Sequence, residues 1–170
     1  RTKLLMERFF KLKGHLVKMK GQKGYQLVFY HLPTAKFFAK KFYSEHPYRS
    51  FNKIFPEEIL YLSDKKLFSL LKGYFAGDGC FSISGERKKI NFTTVSEKLT
   101  WQLKLILGEI GIYSHIQDRK QKSYGIIQGR SVSQRNAWSI WITGNEQIDY
   151  FLKGIKGEYL DKQQRSLSSY

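Results

Sequence analysis

Apolar residues in the first part of the chain follow a helical period and then an alternating one. From Thr2 to Gly14, apolar positions 5, 9 and 12, with 6 and 10 beside them, predict an amphipathic helix that stops at glycine. The runs HLVKMK and GYQLVFY, separated by the turn-like GQKG, predict a hairpin. TAKFFAKKFY returns to helical spacing, with Thr34 as the expected N-cap. The pattern up to Tyr43 therefore predicts helix, strand, strand, helix.

The middle of the chain opens with an unpatterned segment, which a helix follows. SEHPYRSFNKIFP, residues 44–56, contains two prolines and no hydrophobic period, which is typical of a connector. Ser63 and Asp64 form the expected N-cap of a helix that ends near Gly77 to Gly79. Its apolar stripe is predicted to comprise Leu67, Leu70, Leu71, Tyr74 and Phe75.

Strict alternation follows this helix. In CFSISGERKKINFTTV it predicts a hairpin whose apolar side faces the core, namely Phe81, Ile83, Ile90 and Phe92. Ser96 is the expected N-cap of the helix EKLTWQLKLILGEIG, and Asn145 begins a helix over EQIDYFLKGI. Between these helices, IYSHIQDR and AWSIWIT are predicted strands on either side of a polar loop.

The order of elements repeats along the chain. From Ser96 onward the predicted order is helix, strand, strand, helix, as it is from Thr2 to Tyr43. The sequence therefore predicts a complete αββαββα unit over residues 64–170. It also predicts the back half of a second such repeat over residues 1–45, with residues 46–63 as the linker.

The charge of the chain is strongly positive, which points to a polyanionic partner. Its 30 basic residues against 14 acidic ones give a formal charge of +16, and residues 1–53 carry 13 of the basic residues and only 2 of the acidic ones. A mean hydropathy of -0.46 and the lack of an 18-residue apolar run argue against a membrane-spanning helix. The one cysteine, Cys80, excludes a disulfide framework within the chain and favours an intracellular, reducing compartment.

The stretch LLKGYFAGDG, residues 70–79, places one carboxylate, Asp78, at the foot of a helix. Taken alone, Asp-Gly after a helix is an ordinary turn. Here the stretch resembles the motif of the LAGLIDADG homing endonucleases, as do NKIFPEEILYLSDKK before it and TTVSEKLTWQLKLILGEIGI after it. The resemblance implies an α+β fold with a saddle-shaped antiparallel sheet that binds double-stranded DNA. It also implies cleavage of a long recognition site in intron homing.

The resemblance assigns roles to the residues of the motif. Two such helices pack against each other through small residues, and the implied packing positions are Leu71, Gly73, Ala76 and Gly77. Asp78 is the implied catalytic residue and ligand of Mg²⁺, with Gly77 beside it. The lysine or glutamine that other members place near the metals has no clear match in this chain.

The resemblance also implies a DNA-binding face on the sheet. If the apolar residues of the first hairpin point inward, its polar residues face the groove, whereas the alternative is an ordinary solvated face. The implied base-reading residues are Ser82, Ser84, Glu86, Asn91 and Thr93, followed on the third strand by Tyr113, His115, Gln117 and Arg119. Phosphate contacts are expected from Lys120, Lys122, Arg130 and Arg135, in or beside the polar loop.

Only one Gly-Asp-Gly is present in the chain, although paired metals need two carboxylates. The expectation is that a second polypeptide, or a preceding segment, supplies the other motif. The alternative is a homodimer that pairs through the motif helix. A rival function is that of an RNA maturase or a DNA-binding protein of the same fold, without nuclease activity.

Overall fold

The computed structural model of the chain describes residues 2–21, 24–119, 124–127, 130–133 and 136–157. Within it the chain divides into two compact units, Arg1–Lys41 and Phe42–Tyr170. None of the helices in the described ranges has the length and apolar character needed to cross a membrane.

The N-terminal unit has the predicted order of helix, strand, strand, helix. Its elements are α1 (Thr2–Phe10), β1 (His15–Lys18), β2 (Tyr25–Val28) and α2 (Leu32–Phe42), and the two strands pair antiparallel. The prediction that Thr34 caps α2 is wrong, because the helix begins two residues earlier. The Thr34 N–H instead donates to His31 Nδ1 at 3.4 Å, so the histidine side chain satisfies a free donor of the first turn.

The N-terminal unit has little buried surface. Neither α1 nor α2 contains a buried residue, and Leu4 and Leu16 are 70% and 68% exposed. Its contacts include the tilted ring pair Phe10–Phe38. Buried Gly14 is a further point of close packing, because a Cβ there would lie 2.7 Å from the Phe29 ring.

The larger unit contains the predicted αββαββα order with one addition. Its elements are α3 (Asp64–Asp78), β3 (Gly79–Ser84), β4 (Arg87–Thr94), α4 (Glu97–Glu109), β5 (His115–Arg119), β6 (Tyr124–Ile127), β7 (Arg130–Ser133), β8 (Ala137–Thr143) and α5 (Asn145–Lys156). Where the structure describes this region, the prediction of a polar loop before β8 is wrong, since the backbones of β6 and β7 pair antiparallel as a separate two-stranded sheet.

A four-stranded antiparallel sheet, in the order β3-β4-β8-β5, supports the core of this unit. Ile90, Phe92, Ile140 and Ile142 alternate along the two central strands and are fully buried. On this side of the sheet they pack with buried residues of all three helices, including Leu71, Leu103 and Phe151. The alternation in the sequence and the burial in the structure agree because a strand presents every second residue to the same side.

Two hairpin residues that were predicted to face the core are not buried. Phe81 lies opposite Ile90 and Ile83 lies opposite Lys88, so both share the core side, yet they are 41% and 63% exposed. The reason is the strand order, which puts β3 at the edge of the sheet. At this end Lys88 pairs with Asp149 of α5, with 2.8 Å between Nζ and Oδ1.

The segment before α3 is hydrogen-bonded to α4, through a side chain of α4 and through the N-cap residue of α4. The Gln102 amide accepts from the Phe55 N–H at 2.8 Å and donates to the Phe55 carbonyl at 2.7 Å. Ser96 is the N-cap of α4, as predicted, since its Oγ accepts from the Leu99 N–H, and it also donates to the Lys53 carbonyl at 2.6 Å. The segment therefore has a fixed position beside the sheet.

Candidate functional site

Asp78 is placed by a helix that continues into a strand without a loop. α3 ends at Asp78, and Gly79 is already the first residue of β3, its N–H donating back to the Phe75 carbonyl. A Cβ at Gly79 would lie 2.6 Å from the Phe75 carbonyl oxygen and would overlap the Phe75 ring. Glycine is thus required for space, and it fixes the carboxylate at the junction of helix and sheet.

Asp78 is exposed and borders two concave surfaces. One is a groove of about 400 Å³ along α3, lined by Ser69, Leu70, Gly73, Tyr74 and Gly77. The other is a cleft of about 320 Å³ whose lining includes Ser50, Lys53, Thr93 and Thr94. No basic residue lies in the last turn of α3. Positive charge in the cleft instead comes from Lys53, which belongs to the segment before α3 and can offset the negative end of the helix.

Tyr74 lies one helical turn before Asp78 and lines both surfaces. Burial raises the pKa of Tyr74 to about 12, the negative charge of Asp78 adds to the rise, and the side chain of Thr94 opposes both. The hydroxyl is buried without a partner in hydrogen-bonding geometry among the described residues. Tyr74 therefore stays protonated near neutral pH and cannot act as a general base there.

The small residues of α3 lie on an open surface. Gly73, Ala76 and Gly77 are exposed, and a Cβ added at either glycine would meet nothing within 4 Å. Leu71, which was grouped with them as a packing position, is instead fully buried in the core. Two interior glycines cost a helix roughly 1 kcal/mol each relative to alanine. Because packing in this chain does not require them, they mark a place where something else can approach closely.

The side of the sheet away from the helices, which we call the open face, collects many of the expected DNA-binding residues. Residues that lie directly opposite each other on paired strands point to the same side of a sheet. By this register, one row across the open face consists of Cys80, Asn91, Trp141 and His115. Thr93, Ser139 and Gln117 form the next row, in which the Thr93 and Ser139 hydroxyls lie 2.9 Å apart. Of the expected residues, the open face brings together Ser82, Asn91, Thr93, His115, Gln117 and Arg119.

The other expected contacts lie off the strands of the open face, are described only in their backbones, or fall outside the described residues. Glu86 is in the turn between β3 and β4, and Tyr113 precedes β5 and is 75% exposed. Ser84 and Arg130 are described only in their backbones, at the ends of β3 and β7. Lys120, Lys122 and Arg135 lie outside the described residues.

Several open-face residues had not been predicted from the sequence. Arg87 and Lys89 precede Asn91 at intervals of two, so the alternation of β4 could have identified them. Ser139, Trp141 and Thr143 come from β8, where tryptophan occurs on both sides of the strand and the pattern alone does not select a face. Lys53 carried no signal, because it belongs to a segment without periodicity.

The described residues offer part of a metal site. They contain no group of three or more His, Cys, Asp or Glu side chains that could hold an ion. Mg²⁺ is nonetheless commonly bound through one or two carboxylates, with water and phosphate oxygens completing the octahedron. The exposed carboxylate of Asp78 fits as one such ligand, whereas a pair of ions needs a second acidic residue from another source.

Comparison with known proteins identifies the class that this fold and site define. The family model described as LAGLIDADG-like domain matches residues 65–156, more than half of the chain. The chain therefore belongs to the LAGLIDADG family of DNA-binding proteins and nucleases, and the resemblance seen in the motif is confirmed.

Two relatives come from Methanocaldococcus jannaschii. The ATP-dependent DNA helicase Hel308 is 30% identical over 101 residues, which is 59% of this chain and 8% of the helicase. An uncharacterised protein is 31% identical over 107 residues, which is 63% of this chain and 12% of that protein. The chain thus matches only a small part of each relative, so the activities of the whole relatives do not transfer to it.

Proposed function

We propose that this chain is part of a site-specific homing endonuclease that cuts double-stranded DNA by Mg²⁺-dependent hydrolysis. The observation that carries the proposal is the position of Asp78. It is exposed at the end of α3, between the groove that contains Gly73 and Gly77 and the cleft whose lining includes Thr93 of the open face. One acidic residue is therefore available both to a second helix and to DNA on the sheet.

In this proposal some residues of the chain bind DNA and others take part in hydrolysis. A bound Mg²⁺ would neutralise charge on the scissile phosphate and lower the pKa of a water molecule. Asp78 would hold the ion, and Lys53 would add positive charge in the same cleft. Lys89 and Arg119, exposed on the open face, would contact phosphates, while Asn91 and Gln117 would reach base edges.

The proposal includes a second motif on another polypeptide. Asp78 supplies one carboxylate, and the surface of Gly73 and Gly77 lets a helix backbone approach without side chains in the way. A partner helix that ends in its own acidic residue would bring the second carboxylate beside the first. A second copy of this chain is the alternative source, and the mass of the active complex distinguishes the two.

The decisive experiment is Asp78→Asn, assayed with the partner chain, Mg²⁺ and a DNA duplex that the unmodified complex cuts. The substitution keeps the size of the side chain and removes its charge, so cleavage should fall at least a hundredfold while DNA binding is retained. Asp118→Asn is the matched control, because Asp118 is an exposed aspartate on β5 that points away from the open face. Equal cleavage by the Asp78 variant and the control would refute the assignment.

Binding to DNA should depend strongly on salt. Each phosphate that the protein neutralises contributes about -0.9 to the slope of log K against log salt, and a chain of charge +16 should contact on the order of ten. Replacing Lys89 with glutamine should make the slope shallower by about one. A slope near zero for the unmodified chain would contradict the nucleic-acid interpretation.

A second candidate function is DNA binding without cleavage. It is favoured by the exposed basic side chains of the open face, Lys89 and Arg119 among them, which can bind DNA without a metal. In that case Asp78→Asn would leave every measurable function intact, and adding a second motif chain with Mg²⁺ would produce no cut. Preference for an RNA ligand over duplex DNA in the same binding assay would instead support the maturase alternative.

A further inference from the structure

Two side chains on the open face, those of Gln117 and Arg119, contact Trp141. The indole Nε1–H donates to Gln117 Oε1 at 3.1 Å, and the Arg119 guanidinium lies over the indole ring, 5.6 Å from its centroid. His115 is directly across from Trp141 on β5, and Asn91 is across from it on β4. Trp141 is half-buried at the centre of these strands, while Gln117 and Arg119 are exposed.

The tryptophan fixes which end of the Gln117 amide faces it. An indole N–H is a donor only, so the atom that it approaches must be the amide oxygen. This resolves the usual ambiguity between the oxygen and the nitrogen of a glutamine side chain. The Nε2 amino group then points away from the indole, and none of the described residues accepts a hydrogen bond from it. Gln117 therefore presents two donors to whatever binds beside it.

The orientation of this amide has a consequence for base recognition. Adenine is read by glutamine through two bonds, one that the amide oxygen accepts from N6 and one that the amide nitrogen donates to N7. With its oxygen turned to Trp141, Gln117 is poorly placed for the first bond. Guanine shows only acceptors, O6 and N7, at the same edge of the major groove. The held amide thus matches guanine better than adenine.

We propose that Trp141 is a positioning residue for DNA specificity, which holds Gln117 to read a guanine and Arg119 to lie beside it. This inference deepens the proposed function and rests on the open face binding duplex DNA. The aromatic ring restrains the guanidinium through a cation–π contact, and the N–H restrains the amide. The two effects are separable, because phenylalanine keeps a ring and lacks the N–H.

The geometry can be tested without DNA. Trp101, Trp138 and Trp141 are the three tryptophans of the chain, so the indole N–H region of a ¹H–¹⁵N spectrum holds three signals. Gln117→Met should move the Trp141 signal and leave the other two in place, since Trp138 faces the other side of β8 and Trp101 is on α4. An unmoved Trp141 signal would refute the contact and the inference with it.

The specificity is tested by selecting duplexes from a random-sequence library with the complex, and then with its variants. Trp141→Phe should reduce the preference for guanine over adenine about tenfold at one base pair and leave the other positions unchanged. Gln117→Glu keeps the acceptor for the indole but replaces the donors with an acceptor, so the preference at that pair should move to cytosine. Trp138→Phe is the matched control, with an unchanged profile.

The possible failures are distinguishable. If the unmodified complex selects no duplex, the proposed function and this inference both fall. If it selects a defined site but Gln117→Glu, an exposed substitution that does not threaten folding, alters no position, only the inference falls. A uniform loss of affinity in Trp141→Phe with an intact base profile would show that the residue is merely structural.

Discussion

The N-terminal unit and the larger unit contain the same order of elements but differ in burial. In the larger unit, α4, β5, β8 and α5 contribute to a core whose helical positions Leu103, Ile106 and Phe151 are fully buried. In the N-terminal unit, α1, β1, β2 and α2 repeat that order without one buried helical residue. An amphipathic pattern therefore specifies where helices and strands form. Burial of their apolar faces also requires further elements to pack against, which α3, β3 and β4 provide in the larger unit.

The first prediction compares one leucine from α4 with one from α1, the corresponding helices in the two orders of elements, and it has the largest effect. Leu103→Ala in α4 removes a fully buried side chain and should lower the free energy of unfolding by about 2–5 kcal/mol. Leu4→Ala in α1 removes a side chain that is 70% exposed and should change it by under about 0.5 kcal/mol. Urea denaturation measures the free energy of unfolding of both variants. Similar losses would contradict the difference in burial between the two units.

The second prediction asks whether the exposed apolar surface of the N-terminal unit belongs to an interface. Phe9 is 67% exposed on a helix that also exposes Leu4 and Leu5, and several exposed apolar side chains on one short helix are typical of a surface that a partner covers. Phe9→Ala should weaken binding of a chain that carries the second motif about tenfold. The free chain should keep its stability. Titration calorimetry measures the affinity, and an unchanged value would show that the partner does not cover α1.

The third prediction uses two glycines of the larger unit that have the same surroundings. Gly73 of α3 and Gly108 of α4 are both exposed, and a Cβ at either would meet nothing within 4 Å. Alanine at each should therefore raise the stability of the free chain by up to about 1 kcal/mol. Only Gly73→Ala should weaken assembly and cleavage, because only Gly73 lies on the open surface of the motif helix. Equal assembly by both variants would refute a close helix pair at Gly73.

Gly154 shows what a glycine that the fold requires looks like. A Cβ there would overlap the ring of Phe68, so α5 and α3 pack closely only because the side chain is absent. Gly154→Ala should accordingly destabilise the free chain, the opposite sign to Gly73→Ala. Thermal melts of the free chain measure both changes, and stabilisation by Gly154→Ala would contradict this packing.

The sequence predicted those features that depend on local pattern. Apart from β6 and β7, the order of helices and strands followed from hydrophobic period and caps such as Ser96, and Asp78 followed from a motif of ten residues. Features that depend on tertiary arrangement were not predictable in this way. The exposure of Phe81 and Ile83 follows from β3 being an edge strand, and the contacts of Trp141 with Gln117 and Arg119 depend on the register between β5 and β8. Neither strand order nor register can be read from alternation alone.

The smallest expected effect concerns Tyr74, where the core of the larger unit meets the surface that carries Asp78. Its folded pKa of about 12 exceeds the ordinary value of 10.0, first because of burial and then because of Asp78. The contribution of protonated Tyr74 to the free energy of unfolding is therefore complete below pH 10 and is lost as the pH rises towards 12. Tyr74→Phe lacks this loss. Near neutral pH it removes a buried hydroxyl that has no partner in hydrogen-bonding geometry among the described residues, so the free energy of unfolding of the variant should equal or exceed that of the parent by at most about 1 kcal/mol. Urea denaturation at several pH values should show the advantage of the variant widening above pH 10. A constant difference across that range would mean that the Tyr74 hydroxyl titrates alike in the folded and unfolded chain.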